Sequence, residues 1–311
     1  MSKVRNSFVF VGLFLMVSAQ PANAQEKLSV FVSIAPQKYF VERVAGELVD
    51  VHVMVPSGAS PATYEPTPKQ MAELSRAKVY FRIGVPFEER WMDNLKNSFP
   101  ELQVADLRDN ILLRKMKDGY QILTHDNRKT HVEEHDHHHD HDHSHGGLDP
   151  HIWLSPSLVQ VQAANIANIF FNIFPAQVET IQKNTAIFQN ELQELSLHIR
   201  QKLRELPTRQ MMVFHPAWGY FADEFQLIQV PIEIEGKEPS IREMTKLVEI
   251  AKKEKISVIF VQKQFSDKMA RALAQTINAD VVTIDPLAED YIVNMMRITQ
   301  TLEAHLKDPN E

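Results

Sequence analysis

The stretch PAQVETIQKNTAIFQNELQELSLHIRQKLREL, residues 175–206, decides how this 311-residue chain is organised. Its apolar residues Val178, Ile181, Phe188, Leu192, Leu195, Ile199, Leu203 and Leu206 recur mostly every three or four positions, or after seven where one turn is polar. That is the period of one apolar helix face. Roughly 30 residues at a rise of about 1.5 Å each make a helix of ~45 Å. A packed helix inside one domain has the same pattern. The position between two alternating strand and helix series favours a strut that joins two halves.

Upstream, residues 28–33 and 50–55 are β-rich runs. Between them, residues 36–47 carry Tyr39, Phe40, Val44 and Ala45 at spacings that suit one helix face. Thr67-Pro68-Lys69-Gln70 offers an N-cap, a proline at the first helical position and a capping-box glutamine, with Met71 and Leu74 following at helical spacing. A strand over 78–84 and a helix over 87–95 come next. Downstream the rhythm repeats, with strands over 210–214, 228–234, 257–261 and 280–284. Helices are predicted near 218–223, from Ser240 with Glu243 completing a capping box, over 268–277 and over 291–306. Alternation of this kind predicts an α/β fold of two similar lobes, each with a mainly parallel sheet, joined by the long rigid helix. The boundaries read as 25–174 for the N-terminal lobe, 175–207 for the connecting helix and 208–311 for the C-terminal lobe. Such lobes leave a cleft between them, where ligand sites tend to form.

Residues 1–24 read as an export signal. Lys3 and Arg5 form a positive start, an apolar run covers 8–17, and Ala22-Asn23-Ala24 fits the small-residue cleavage pattern. Cleavage near Ala24 predicts a soluble periplasmic protein. Loss of Lys3 and Arg5 takes the formal charge from −7 to −9, which argues against a nucleic-acid partner. Cysteine is absent, so disulfides, thiolate ligands, a catalytic thiol and a lipid-anchored cysteine are all excluded. Any metal site must use His and carboxylates.

Residues 125–145 carry nine His among 21 residues, interleaved with Asp and Glu and without apolar periodicity. This predicts a solvated loop with weak, interchangeable sites for a borderline cation such as zinc. The tight site should lie elsewhere. His151 falls in Asp149-Pro150-His151-Ile152-Trp153-Leu154-Ser155-Pro156, just before a helix capped by Ser155. His215 ends the strand over 210–214, and Asp285 ends the strand over 280–284. In parallel sheets that end of a strand faces the ligand crevice. Alone, each has an ordinary structural reading: a packed histidine, a turn histidine and an Asp-Pro helix start. Together, two neutral nitrogens and one carboxylate suit a zinc-type shell.

Several spaced motifs, in order, give the chain a wider likeness: GASPATYEPTP at 58–68, DPHIWLSP around His151, VFHPAWGYF around His215, EGKEPS at 235–240 and TIDPLAEDY around Asp285. Over essentially all of its mature length the chain resembles the zinc and manganese solute-binding proteins of ABC importers, the ZnuA or TroA type. That resemblance implies two lobes bridged by a long helix with the metal in the cleft. It also implies a monomer that delivers its ion to an ABC transporter permease in the inner membrane. His151, His215 and Asp285 match the second, third and fourth family ligands, and a histidine at the third position fits the zinc branch, where manganese binders carry glutamate. The family's first ligand, a histidine two residues before the tyrosine of the first motif, is Ala62 here. Water, a histidine of residues 125–145 or the Glu65 carboxylate would have to fill its place. The resemblance implies no enzyme. The rival readings are a periplasmic zinc buffer or chaperone without a permease, a carrier of manganese or another divalent ion, and a metallohydrolase with Glu65 as its base.

Overall fold

Four strands, β1 (Leu28–Val32), β2 (Val49–Val53), β3 (Val79–Arg82) and β4 (Gln103–Asp106), pair in parallel in the order β2-β1-β3-β4. The computed structural model describes residues 26–116, 147–234 and 236–307, so the export segment 1–24 and the His-rich stretch 125–145 lie outside the described residues. Helices α1 (Ala35–Ala45), α2 (Pro68–Leu74) and α3 (Pro86–Ser98) connect these strands. The cap read from the sequence forms at α2, where the Thr67 hydroxyl accepts from the Gln70 amide at 3.3 Å. Strand β4 was not foreseen. It is a four-residue edge with polar Gln103 and Asp106 at its ends, too short for an alternation to register.

Helix α4 (Pro156–Ile173) starts at Ser155, whose hydroxyl accepts from Leu158 N at 3.2 Å. It leads into the long helix α5 (Val178–Leu203), whose 26 residues span ~39 Å. The predicted start at Pro175 belongs to a short 3-10 turn instead, a common way to tighten a helix end. Beyond α5 the strands β5 (Gln210–Val213), β6 (Ile228–Pro231), β7 (Val258–Gln262) and β8 (Asp280–Ile284) form a second parallel sheet in the order β6-β5-β7-β8. Each sheet therefore places its strands in the same succession, second, first, third, fourth. Helices α6 (Gly219–Phe225), α7 (Ile241–Lys253), α8 (Lys268–Ile277) and α9 (Tyr291–Leu306) complete the described chain. The predicted strand over 228–234 ends at Pro231, although Ile232 N and Glu233 N still donate to the Val213 and Phe214 carbonyls at 2.8 and 3.0 Å; Ile234 makes only an isolated bridge to Lys237.

Successive side chains of a strand face opposite ways. The second sheet uses that to serve two cores. Met211, Val213, Val258 and Phe260 join a large apolar cluster that includes the first sheet, α4, α5 and α9. Met212, Phe214, Ile259 and Val261 turn to a smaller cluster with Leu247 of α7 and Leu273 of α8. Helix α5 is buried along Ile181, Phe188, Leu192, Leu195, Ile199 and Leu203, inside the large cluster. There Phe40 of α1 meets Phe188 at 6.0 Å and, edge-on, Tyr291 of α9 at 4.9 Å between ring centroids. No helix among the described residues is long and apolar enough to cross a membrane.

A carboxyl group lies deep inside the first lobe. Glu88 is fully buried and accepts from Ile83 N at 2.9 Å, Gly84 N at 2.7 Å, Arg82 Nε at 3.2 Å and the Ser33 hydroxyl. These donors tie the turn at 83–86, part of the cleft wall, to α3. Burial outweighs them and raises its pKa above 4.5. Between 4.5 and the raised value the folded protein holds a proton that the unfolded chain has lost, so this group's contribution to stability falls as pH rises through that window. Glu88→Gln should lack that slope. Urea unfolding of both proteins at several pH values above 4.5 checks it, and parallel curves would sink it.

Candidate metal centre

His215 immediately follows Phe214 at the C-terminal end of β5, where the strand order of its sheet reverses between β5 and β7. Register explains its neighbours. Val213 pairs with Pro231 of β6 and with Phe260 of β7; two residues further on, His215 lies between Glu233 and Gln262. Glu233 Oε2 hydrogen-bonds the imidazole Nδ1. Gln262 brackets the His215 backbone, accepting from its N–H at 3.3 Å and donating to its carbonyl at 2.9 Å. The Phe265 ring stacks on the imidazole at 4.8 Å.

His151 reaches the same place from the other lobe. It is 7% exposed, and Asp149, at 1%, lies 2.7 Å from its Nδ1 and accepts from its backbone N–H at 3.1 Å. Trp153 packs against the ring at 5.0 Å, and its indole N–H donates to the Pro286 carbonyl at 2.8 Å, tying this turn to the loop after β8. Burial lowers the His151 pKa despite the nearby Asp149 carboxylate, which keeps the ring neutral and its lone pair available. The two imidazoles meet edge-on with centroids 5.2 Å apart. A carboxylate occupies Nδ1 of each, which leaves Nε2 as the free nitrogen on both. A carboxylate behind a histidine is the arrangement that orients metal-binding imidazoles.

Asp285 is not brought into this pair. Its Oδ1 accepts from Leu287 N at 3.0 Å and from Gln264 Nε2 at 3.4 Å, and its Oδ2 sits 3.1 Å from Lys263 Nζ. Pro286 and Leu287 line the cleft, and Asp285 itself does not. Among the described residues, no three His, Asp or Glu side chains come close enough together to hold an ion. Ala62 does line the cleft, on a loop held by Arg90 to the Ala62 carbonyl at 3.1 Å and by Phe87 N to the Pro61 carbonyl at 3.2 Å. Glu65, considered from the sequence as a replacement ligand or base, is exposed and off the cleft wall. The carboxylates on that wall are Glu89 and Glu233, neither singled out from the sequence. The cleft has a volume of about 350 Å³, with walls that are mostly apolar.

Two parallel α/β lobes bridged by a long helix, with an imidazole from each at the rim of one cleft, define a helix-bridged solute-binding protein. The match extends through the chain. Residues 30–305 fit the family model of the zinc-uptake complex component A, periplasmic, and the chain belongs to that family. It is 30% identical over 296 residues to the high-affinity zinc uptake system protein ZnuA of Bacillus subtilis (strain 168), covering 90% of this chain and 87% of that one. A crystal structure of ZnuA matches with a TM-score of 0.80 at 37% identity, over 91% of this chain and all of that one. A zinc-bound deletion mutant of ZnuA matches at 0.79 and 36% identity, over 91% of this chain and 99% of that one.

Proposed function

We propose that this protein captures a divalent ion, zinc foremost, in the periplasm and delivers it as a monomer to an ABC transporter permease, without catalysing a reaction. The observation that carries the reading is the pair of imidazoles, each anchored at Nδ1 by a carboxylate and 5.2 Å apart at the cleft. Nitrogen donors of this kind suit zinc, and both are oriented before any ion arrives. Asp285 is the third ligand, recruited when Lys263 releases its carboxylate. The test is metal analysis of protein purified without an affinity resin, then competition titration with zinc, manganese, nickel and copper. One tightly held zinc per chain is expected; preference for manganese would overturn the cargo assignment. The hydrolase reading gains nothing from the structure, because the base it requires, Glu65, is off the cleft wall.

Ala62 gives the first mutational test. Its methyl group donates nothing, so the protein supplies three ligands where zinc ordinarily takes four. Ala62→His puts an imidazole on a loop already held against the cleft and should tighten zinc binding by about tenfold or more, taking the effect of an outer-shell partner as the floor. An unchanged or weaker affinity would mean that another protein group already fills that corner.

Removal of residues 125–145 separates the carrier from the buffer reading. Stoichiometry should drop while the tightest site stays nearly unchanged in the same titration. Loss of all tight binding would assign the main work to that stretch and favour the buffer.

A further inference from the structure

A strand register brings a lysine to the third ligand. Strands β7 and β8 pair in parallel with Gln262 opposite Ile284 at the last position, so the residues that follow, Lys263 and Asp285, leave the sheet side by side. Lys263 Nζ sits 3.1 Å from Asp285 Oδ2. The two oxygens of this carboxylate are committed differently. Oδ1 accepts from Leu287 N at 3.0 Å and from Gln264 Nε2 at 3.4 Å, while the Asn294 side chain donates to the Asp285 carbonyl at 2.7 Å. Those bonds hold the turn that leads into α9. They do not use Oδ2, which is therefore the oxygen an ion can take without undoing the turn, and it is the one the lysine holds.

The partners also differ in freedom. The Lys263 side chain is 62% exposed and ends a flexible four-carbon stem, whereas that of Asp285 is 17% exposed. The lysine can leave and return while the aspartate stays in place. His151 and His215 require no such exchange, because each imidazole is oriented at Nδ1 by a carboxylate of its own.

We propose that Lys263 is a tethered competitor for the bound ion: it takes Asp285 Oδ2 back, leaves the ion on the two imidazoles alone, and so speeds its release. The proposal rests on the metal-binding reading with Asp285 as third ligand, and adds how that site lets go. Capture then has two steps. The ion lands on the two nitrogens, and the carboxylate next exchanges the lysine for the ion. Release runs the same steps backwards. A cation fixed beside Oδ2 favours the lysine pair in the second step, which raises the share of the loosely held, two-nitrogen state. The first step does not involve Lys263, so the effect falls on departure of the ion and not on its arrival.

The experiment follows zinc on the full-length protein by stopped flow at one pH and ionic strength. Direct mixing reads association, and capture by excess chromophoric chelator reads release. Lys263→Met keeps the length of the side chain and removes its charge. Release should slow by about three- to tenfold, near the upper end of what a partly exposed ion pair contributes, with association changed by less than about twofold. Lys263→Arg, which keeps a cation beside Oδ2, should restore fast release. On an Asp285→Asn background, where the side-chain oxygen still accepts from Leu287 N, Lys263→Met should alter neither rate. If Lys263→Met leaves release unchanged, or speeds association instead, the proposal falls while zinc carriage stands. An equal effect with and without the Asp285 carboxylate would show a general field of the lysine and would overturn it too. If Asp285→Asn alone holds zinc as the parent does, the third ligand is another group, such as Glu89 or Glu233 of the cleft wall, and the proposal fails with the Asp285 assignment. If the parent holds no zinc, the metal-binding reading itself fails. Circular dichroism of each variant checks the fold, and the mostly exposed position of Lys263 makes its substitution mild.

Discussion

His215→Ala should weaken the tightest zinc site by at least a hundredfold. The substitution removes one of two oriented nitrogens and leaves the Glu233 carboxylate, 9% exposed at its side chain, without the imidazole it hydrogen-bonds. Loss of an outer-shell partner alone costs 10 to 100-fold in metal affinity, so loss of the ligand starts from the upper end of that range. Single substitutions within residues 125–145 should each change the tight site far less. The measurement is competition against a chromophoric zinc chelator, with circular dichroism to show that the fold survives. A mutant that titrates like the parent would remove His215, and with it the paired imidazoles, from the site.

The second large effect is on stability. Phe40→Ala should cost about 3–5 kcal/mol, the range for truncating a buried aromatic ring where the surroundings cannot collapse. Phe40 is fully buried and touches ring neighbours on two other helices, Phe188 of α5 and Tyr291 of α9, so the hole opens where three elements meet. Urea unfolding of the metal-free protein checks it. A loss below about 1 kcal/mol would show that the three helices can close over the gap, contrary to close packing at this point.

Much of this was legible in the sequence, for identifiable physical reasons. The long helix and the two alternating series were readable because helical and strand periods are local, and the Thr67 and Ser155 caps because they act within three residues. His151 and His215 stood out because the first lies just before a helix start and the second ends a strand. Their carboxylate partners differ. Asp149 is two residues from His151, whereas Glu233 is 18 residues from His215 and is found only by carrying the β5–β6 register two residues past its last pair. The same extension along β7 gives Gln262. The pairing of Asp285 with Lys263 joins residues from different strand ends, which no local pattern encodes. The two alternating series suggested a lobe for each half. The alternation of side chains in the second sheet instead gives one face to a cluster shared with the first lobe.

That shared cluster bears on the order in which the molecule can be made. Helix α9, the last described element, packs along α5 and places Tyr291 against Phe40, so the apolar centre around the first sheet is finished by residues from the far end of the polypeptide. A chain synthesised amino end first exposes residues 28–107 long before that helix emerges. The early half cannot be sealed against water on its own schedule. Phe40 and the apolar surface around it stay open to water until α9 is in place.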